Sequence, residues 1–87
     1  MAKWGMDVED VKSFAKLAKT KSDELETIAT RLKGKLDGVD WTGPDAEKFR
    51  SEWDSNHAKN LKAISDALEQ ISKIAAKNAL QQEQVSK

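Results

Sequence analysis

Residues 36–49 read "LDGVDWTGPDAEKF". This stretch gathers two of the four glycines and the only proline of the chain between two long, charged segments of helical rhythm. Clustered Gly, Asp, Thr and Pro mark a break between helices. A tryptophan, Trp41, stands inside that break, where a large apolar ring is costly to leave wet.

Downstream of the break, Thr42 is expected to cap free helix amides. Pro44 fits the first turn, where its missing N–H costs nothing, and Asp45 and Glu47 complement the helix dipole. Upstream, Asp37-Gly38 is expected to end the first helix, with Gly38 in the left-handed position that follows many helices. That helix starts at Asp7, a good N-cap, with Asp10 three residues on. The expected layout is one domain: a helix over about 7–36, an elbow over 37–43, a helix over about 44–83, and a flexible polar tail to residue 87.

Apolar and small residues repeat in fours and threes along both helices. On the first they fall at Val11, Ala15, Ala18, Ser22, Leu25, Ala29, Leu32 and Leu36, with Phe14, Leu17 and Ile28 widening the face. On the second the expected seam is Trp53, His57, Leu61, Ile64, Leu68, Ile71, Ala75 and Asn78, flanked by Phe49, Ala67 and Ile74. This is a heptad pattern. Two long helices joined by a short link fold back as an antiparallel hairpin. Each face is broader than a two-helix seam can cover, so an all-α hairpin dimerising into a four-helix bundle is the expected fold. The residues expected to hold the hairpin or dimer interface are Phe14, Leu25, Leu32, Phe49, Trp53, Leu61, Ile64, Leu68 and Ile71. Trp41 is expected to plug the open end of the groove, with Gly43 letting the backbone pass close by.

Fifteen basic and fifteen acidic side chains leave no net charge. Nucleic acid and anionic membrane partners call for a basic excess, which is absent. Residues 1–36 carry eight basic and six acidic side chains, and residues 37–87 seven and nine, a split that favours antiparallel association of unlike halves. There is no cysteine, hence no disulfide, thiol nucleophile or thiolate metal site. No stretch approaches the ~20 apolar residues of a membrane span, so no stable membrane insertion is expected. "MAKWGMDVED" lacks the apolar run of a conventional signal peptide.

Little chemistry can be assembled. His57, the only histidine, is expected in the apolar seam, where protonation near its unperturbed pKa of about 6.5 would loosen a dimer. Asp37, Asp40, Asp45 and Glu47 lack calcium-loop spacing and read as caps and dipole partners. Lys12, Lys16 and Lys19 interleave with acids and read as a solvated face. No Ser–His–Asp set and no phosphate loop is present, so no enzyme, cofactor or metal is expected.

"WTG" in the elbow of a two-helix chain of this length resembles the WXG family of small proteins, also called ESAT-like (early secretory antigenic target-like). "WTGPDAEKFRSEW", followed by His57 and Leu61, is similar to an actinobacterial branch of it, and "NALQQEQ" to that branch's ending. The resemblance covers essentially the whole chain. It implies a non-enzymatic hairpin, a homodimer or a heterodimer with a sibling, exported as a folded dimer by a type VII (ESX-like) secretion system and its ATPase. It also implies that Trp41 and Gly43 form part of the export signal, and that the protein is secreted without a conventional signal peptide. The family's Tyr-x-x-x-Asp/Glu tail motif does not carry over: Ala79 stands four residues before Glu83, and the chain has no tyrosine. "KWG" has Gly5 directly after Trp4, the wrong spacing for a second motif. An intracellular adaptor binding a partner helix and a membrane-perturbing secreted protein are the rival readings.

Overall fold

The computed structural model describes residues 5–86; Trp4 lies outside them. Helix α1 spans Val8–Gly38. Asp7 caps it from extended backbone, accepting the Asp10 amide at 3.1 Å, as its sequence position implies. The second rod is built from α2, Pro44–Glu52, a π-helical turn, Trp53–His57, and α3, Ala58–Ser86. In the π turn the Ala58 amide donates to the Trp53 carbonyl five residues back. Ser55 Oγ also donates to the Ser51 carbonyl at 2.9 Å, a back-bond that loosens the regular ladder.

The rods run antiparallel, forming a helical hairpin of 65 × 18 × 17 Å. Its radius of gyration is 19.4 Å, against about 12 Å for a globule of this length. Register is fixed in the middle by two serines. Ser22 Oγ donates to the Ser65 carbonyl at 2.8 Å, and Ser65 Oγ donates to the Ser22 carbonyl at 3.0 Å. One turn pair away, Ser72 Oγ donates to the Ala15 carbonyl at 2.7 Å. Side chain to backbone bonds across a helix pair demand close approach, which only small residues permit.

The seam of α1 lies where its periodicity puts it: Ala15, Ala18 and Ser22 are buried, and Val11, Leu25, Ala29 and Leu36 half-buried. Leu32 turns out of it and is exposed. On α3 the expected seam needs correction. The inward residues are Ala58, Leu61, Ser65, Leu68, Ser72, Ala75, Ala79 and Gln82. Leu61, Leu68 and Ala75 hold, but Ser65, Ser72 and Ala79 replace Ile64, Ile71 and Asn78, and Ala58 replaces His57. Ala79 is fully buried and Glu83 pairs with Lys12 at 2.8 Å, and α3 runs on to Ser86, into the segment after residue 83 expected to be a flexible tail.

With the seam at heptad positions a and d, the hairpin has two unlike edges. Position e carries Lys12, Lys19, Glu26 and Lys33 on α1 and Glu69 and Glu83 on α3. Lys19 meets Glu69 at 2.9 Å, and Lys33 meets Asp54 at 3.1 Å. The Lys19 ammonium hydrogen-bonds Glu69 and Asp23 and is held above its ordinary pKa; its bond holds the Glu69 carboxyl below. These pairs are solvated and select register more than they stabilise. The opposite edge, positions g and c, presents Phe14, Leu17, Ile28, Ile64, Ile71 and Ile74, all 42–57% exposed.

Candidate functional site: the aromatic elbow

Five residues, Val39 to Gly43, join the rods. Val39 leaves α1 in extended backbone, and the Trp41 amide returns to the Val39 carbonyl at 3.0 Å, a tight turn about Asp40. Two expectations about this link fail. Gly38 is the last residue of α1 and has no left-handed conformation, because the chain leaves the helix through extended Val39 instead. Thr42 does not cap α2: the N-cap is Gly43, with no side-chain cap bond, and its carbonyl accepts the Glu47 amide at 3.0 Å. Pro44 occupies the first turn with Asp45 and Glu47, as expected.

Gly43 is the one described residue with positive φ, at φ 114° and ψ 175°. L residues all but avoid that region. A Cβ there would meet nothing within 4 Å, so close backbone passage is not what glycine provides; conformational freedom is. Gly43→Ala is expected to cost about 1–3 kcal/mol by strain alone, read as a lower chemical-denaturation midpoint with an unchanged helical spectrum. A midpoint equal to that of the parent chain would refute the assignment.

A residue without a periodic signal organises the elbow. From the last turn of α2, Arg50 reaches back over it. Nη1 donates to the Trp41 carbonyl at 2.8 Å, Nη2 to Val39 at 3.2 Å and Leu36 at 3.3 Å, and Nε to Leu36 at 3.4 Å. The Leu36 carbonyl belongs to the last turn of α1, where the dipole is negative and acceptors lack helical partners. The guanidinium therefore closes α1 and fixes the loop in one stroke.

Trp41 is not the buried plug expected of it. It is 39% exposed and packs on Phe49, ring centroids 5.5 Å apart at a 49° tilt. Phe49 continues to His57 at 6.4 Å, and His57 to Trp53 at 6.3 Å. His57 is exposed in this row and not in the seam, because the π turn carries it to the outer face. Phe49, Trp53 and His57, with Leu32, Asn60 and Leu61, line an open groove of about 410 Å³. The structure thus brings Phe49, Trp53 and Leu32 of the expected interface to one end, beside Trp41. Phe14, Ile64 and Ile71 lie further along the apolar edge, and Leu25, Leu61 and Leu68 lie half-buried between the helices.

Among the described residues no group of His, Asp and Glu side chains could hold a metal ion. No described helix is long and apolar enough to cross a membrane. The elbow offers stacking rings and an apolar groove, while the Leu36, Val39 and Trp41 carbonyls beside them are already taken by Arg50. No protein-family model, characterised protein or solved structure matches the chain.

Proposed function

We propose that the chain is a WXG-like, non-enzymatic helical hairpin that dimerises through its apolar edge, with a copy of itself or a sibling, and is exported as a folded dimer by a type VII secretion system. One observation carries the reading. Among the described residues the side chains the hairpin buries fully are alanines and serines, while Phe14, Leu17, Ile28, Ile64, Ile71 and Ile74 gather outside on one edge. An exposed edge rich in large apolar side chains favours a protein interface. A second hairpin laid on it completes a four-helix bundle.

The elbow is the recognition end in this reading. Trp41 stands half out of the fold on a rigid base, with Gly43 beside it, where a secretion ATPase or an accompanying subunit can grip it. The tail supplies no tyrosine: Ala79 is fully buried in the seam and Glu83 is engaged by Lys12. A tyrosine-bearing tail then belongs to another member of the exported complex.

Trp41→Ala tests the export reading in a host that carries such a system. The ring makes its described ring contact only with Phe49, so the hairpin is expected to fold and dimerise while export falls to a small fraction of the parent level. Equal amounts of folded variant and parent outside the cell, with a cytoplasmic marker retained inside, would remove the reading.

A further inference from the structure

The inward residues of the second rod keep one rhythm with a single break. From Ala46 through Arg50 to Trp53, and again from Ala58 to Gln82, they recur in alternating steps of three and four. Between Trp53 and Ala58 the step is five, and there the π turn lies. The turn therefore holds one residue more than a regular heptad uses, and taking it up underwinds the rod.

Without the turn, the helix would carry the phase of α2 onward. Four residues after Trp53 comes His57, and the same rhythm then passes through Ile64 and Ile71 in place of Ser65 and Ser72. Leu61, Leu68 and Ala75 belong to both sets. Passing from one set to the other is a rotation of α3 about its own axis by half a residue step, roughly 50°. Neither leucine leaves the seam on the way.

Each arrangement has something the other lacks. In the structure Ser22, Ser65 and Ser72 bond opposing carbonyls at close range. The rotated arrangement would bury Ile64 and Ile71, now 53% and 42% exposed, and would wind the π turn into ordinary helix. It would forfeit the serine bonds and bring Asn78 inward. Large gains set against large losses are the condition for two states separated by a small gap.

From this balance we infer that the π turn at Trp53–His57 is a phase switch. Wound up, it draws Ile64 and Ile71 into the seam and off the apolar edge; held open, it presents them. The open form is the major one, and the wound-up form is on the order of one chain in a hundred or fewer. The elbow takes part, because Trp53 and His57 bound the turn and also line the aromatic groove. Winding the turn carries His57 out of that groove, so a molecule seated there holds the isoleucines outward. The switch needs only the hairpin, and neither the dimer nor the export proposed above.

The chain has no cysteine, so introduced pairs report each arrangement by intrachain disulfide formation. Ser22→Cys with Ser65→Cys reads the open form, in which the two Oγ atoms lie 3.0 Å apart. Ser22→Cys with Ile64→Cys reads the wound-up form, cysteine being apolar enough to bury. Ser22→Cys with Ala63→Cys measures opening of the whole hairpin, since Ala63 is in neither set. In oxidised glutathione, at a concentration where the chain is monomeric, the Ile64 pair is expected to close roughly a hundredfold more slowly than the Ser65 pair, following its population. It should still close roughly tenfold faster than the Ala63 pair. Deleting Ser55 removes the spare residue and leaves a regular helix with Ser65 inward. The Ile64 pair is then expected to slow to the Ala63 rate, while the Ser65 pair keeps its own. An Ile64 pair no faster than the Ala63 pair in the full-length chain overturns the switch, whatever the shortened chain does. Equal closure of the Ile64 pair with and without Ser55 also overturns it, because closure then owes nothing to the turn.

Discussion

Ser65→Leu is expected to destabilise the hairpin by about 2–4 kcal/mol, while Ile64→Ser, one residue away, changes the stability of the isolated hairpin by no more than about 0.5 kcal/mol. Ser65 is 1% exposed and faces buried Ser22 across the seam, the two Oγ atoms 3.0 Å apart. Leucine adds two heavy atoms and a branch where the backbones are within reach of a hydroxyl, which costs roughly 1–3 kcal/mol in strain. It also removes the hydrogen bond that Ser65 Oγ donates to the Ser22 carbonyl, worth about 1 kcal/mol, although the Ser22 hydroxyl keeps the backbone carbonyl of residue 65 as its acceptor. The whole chain has about 4–13 kcal/mol to lose at ordinary stability per residue, and a core of alanine and serine puts it low in that range. Urea titration at a concentration where the parent is monomeric checks both variants. Comparable midpoints for Ser65→Leu and the parent would mean that Ile64 faces inward after all. Ile64→Ser should instead weaken association, since Ile64 belongs to the outer edge.

That pair of neighbours also shows where the sequence was readable. Asp7, Pro44 and the small residues of α1 declare themselves because caps, first turns and seven-residue periodicity are local signals. The positions 57, 61, 64, 68, 71, 75 and 78 of the second rod are as periodic as 58, 61, 65, 68, 72, 75 and 79. Hydrophobicity favours the first set, since it contains the isoleucines. Close approach favours the second, because serine and alanine let the axes come together and let hydroxyls reach opposing carbonyls. A single chain's periodicity cannot weigh these two effects, and the π turn at Trp53–His57 shifts the phase once more. The aromatic elbow was legible as a set of residues, but its exposure was not, because burial of Trp41 depends on what α2 places over it.

The two unlike edges follow from that same shift. If Ile64 and Ile71 faced inward, the hairpin would keep its large side chains and have little reason to associate. Turned outward by one position, they join Phe14, Leu17, Ile28 and Ile74 on the edge free of interhelical ion pairs. Lysine–glutamate pairs close the other edge against a neighbour by solvating it. The small seam therefore does two things: it holds the hairpin at close range, and it leaves the large apolar side chains outside.

Arg50→Ala is expected to lower stability by about 2 kcal/mol and to release the elbow even though Trp41, Gly43 and the aromatic row are all retained. The guanidinium bonds three carbonyls, and charged hydrogen bonds of this kind contribute about 1.5–3 kcal/mol when shielded. Solvent reaches the Trp41 and Val39 bonds, so the total falls well short of the sum. Lysine keeps the charge but not the planar fork, and one ammonium cannot serve Leu36, Val39 and Trp41 together. Arg50→Lys should therefore recover less than half of the loss. Local opening has its own readout: the Trp41 amide, bonded to Val39, should exchange with solvent faster in Arg50→Ala while amides around Ser22 and Ser65 change only with global stability. If the elbow is the export signal, secretion of Arg50→Ala should fall toward that of Trp41→Ala, since a ring on a loosened loop is no longer held for recognition. Parental exchange at Trp41 in the variant would show that the turn about Asp40 holds itself, and that Arg50 only decorates it.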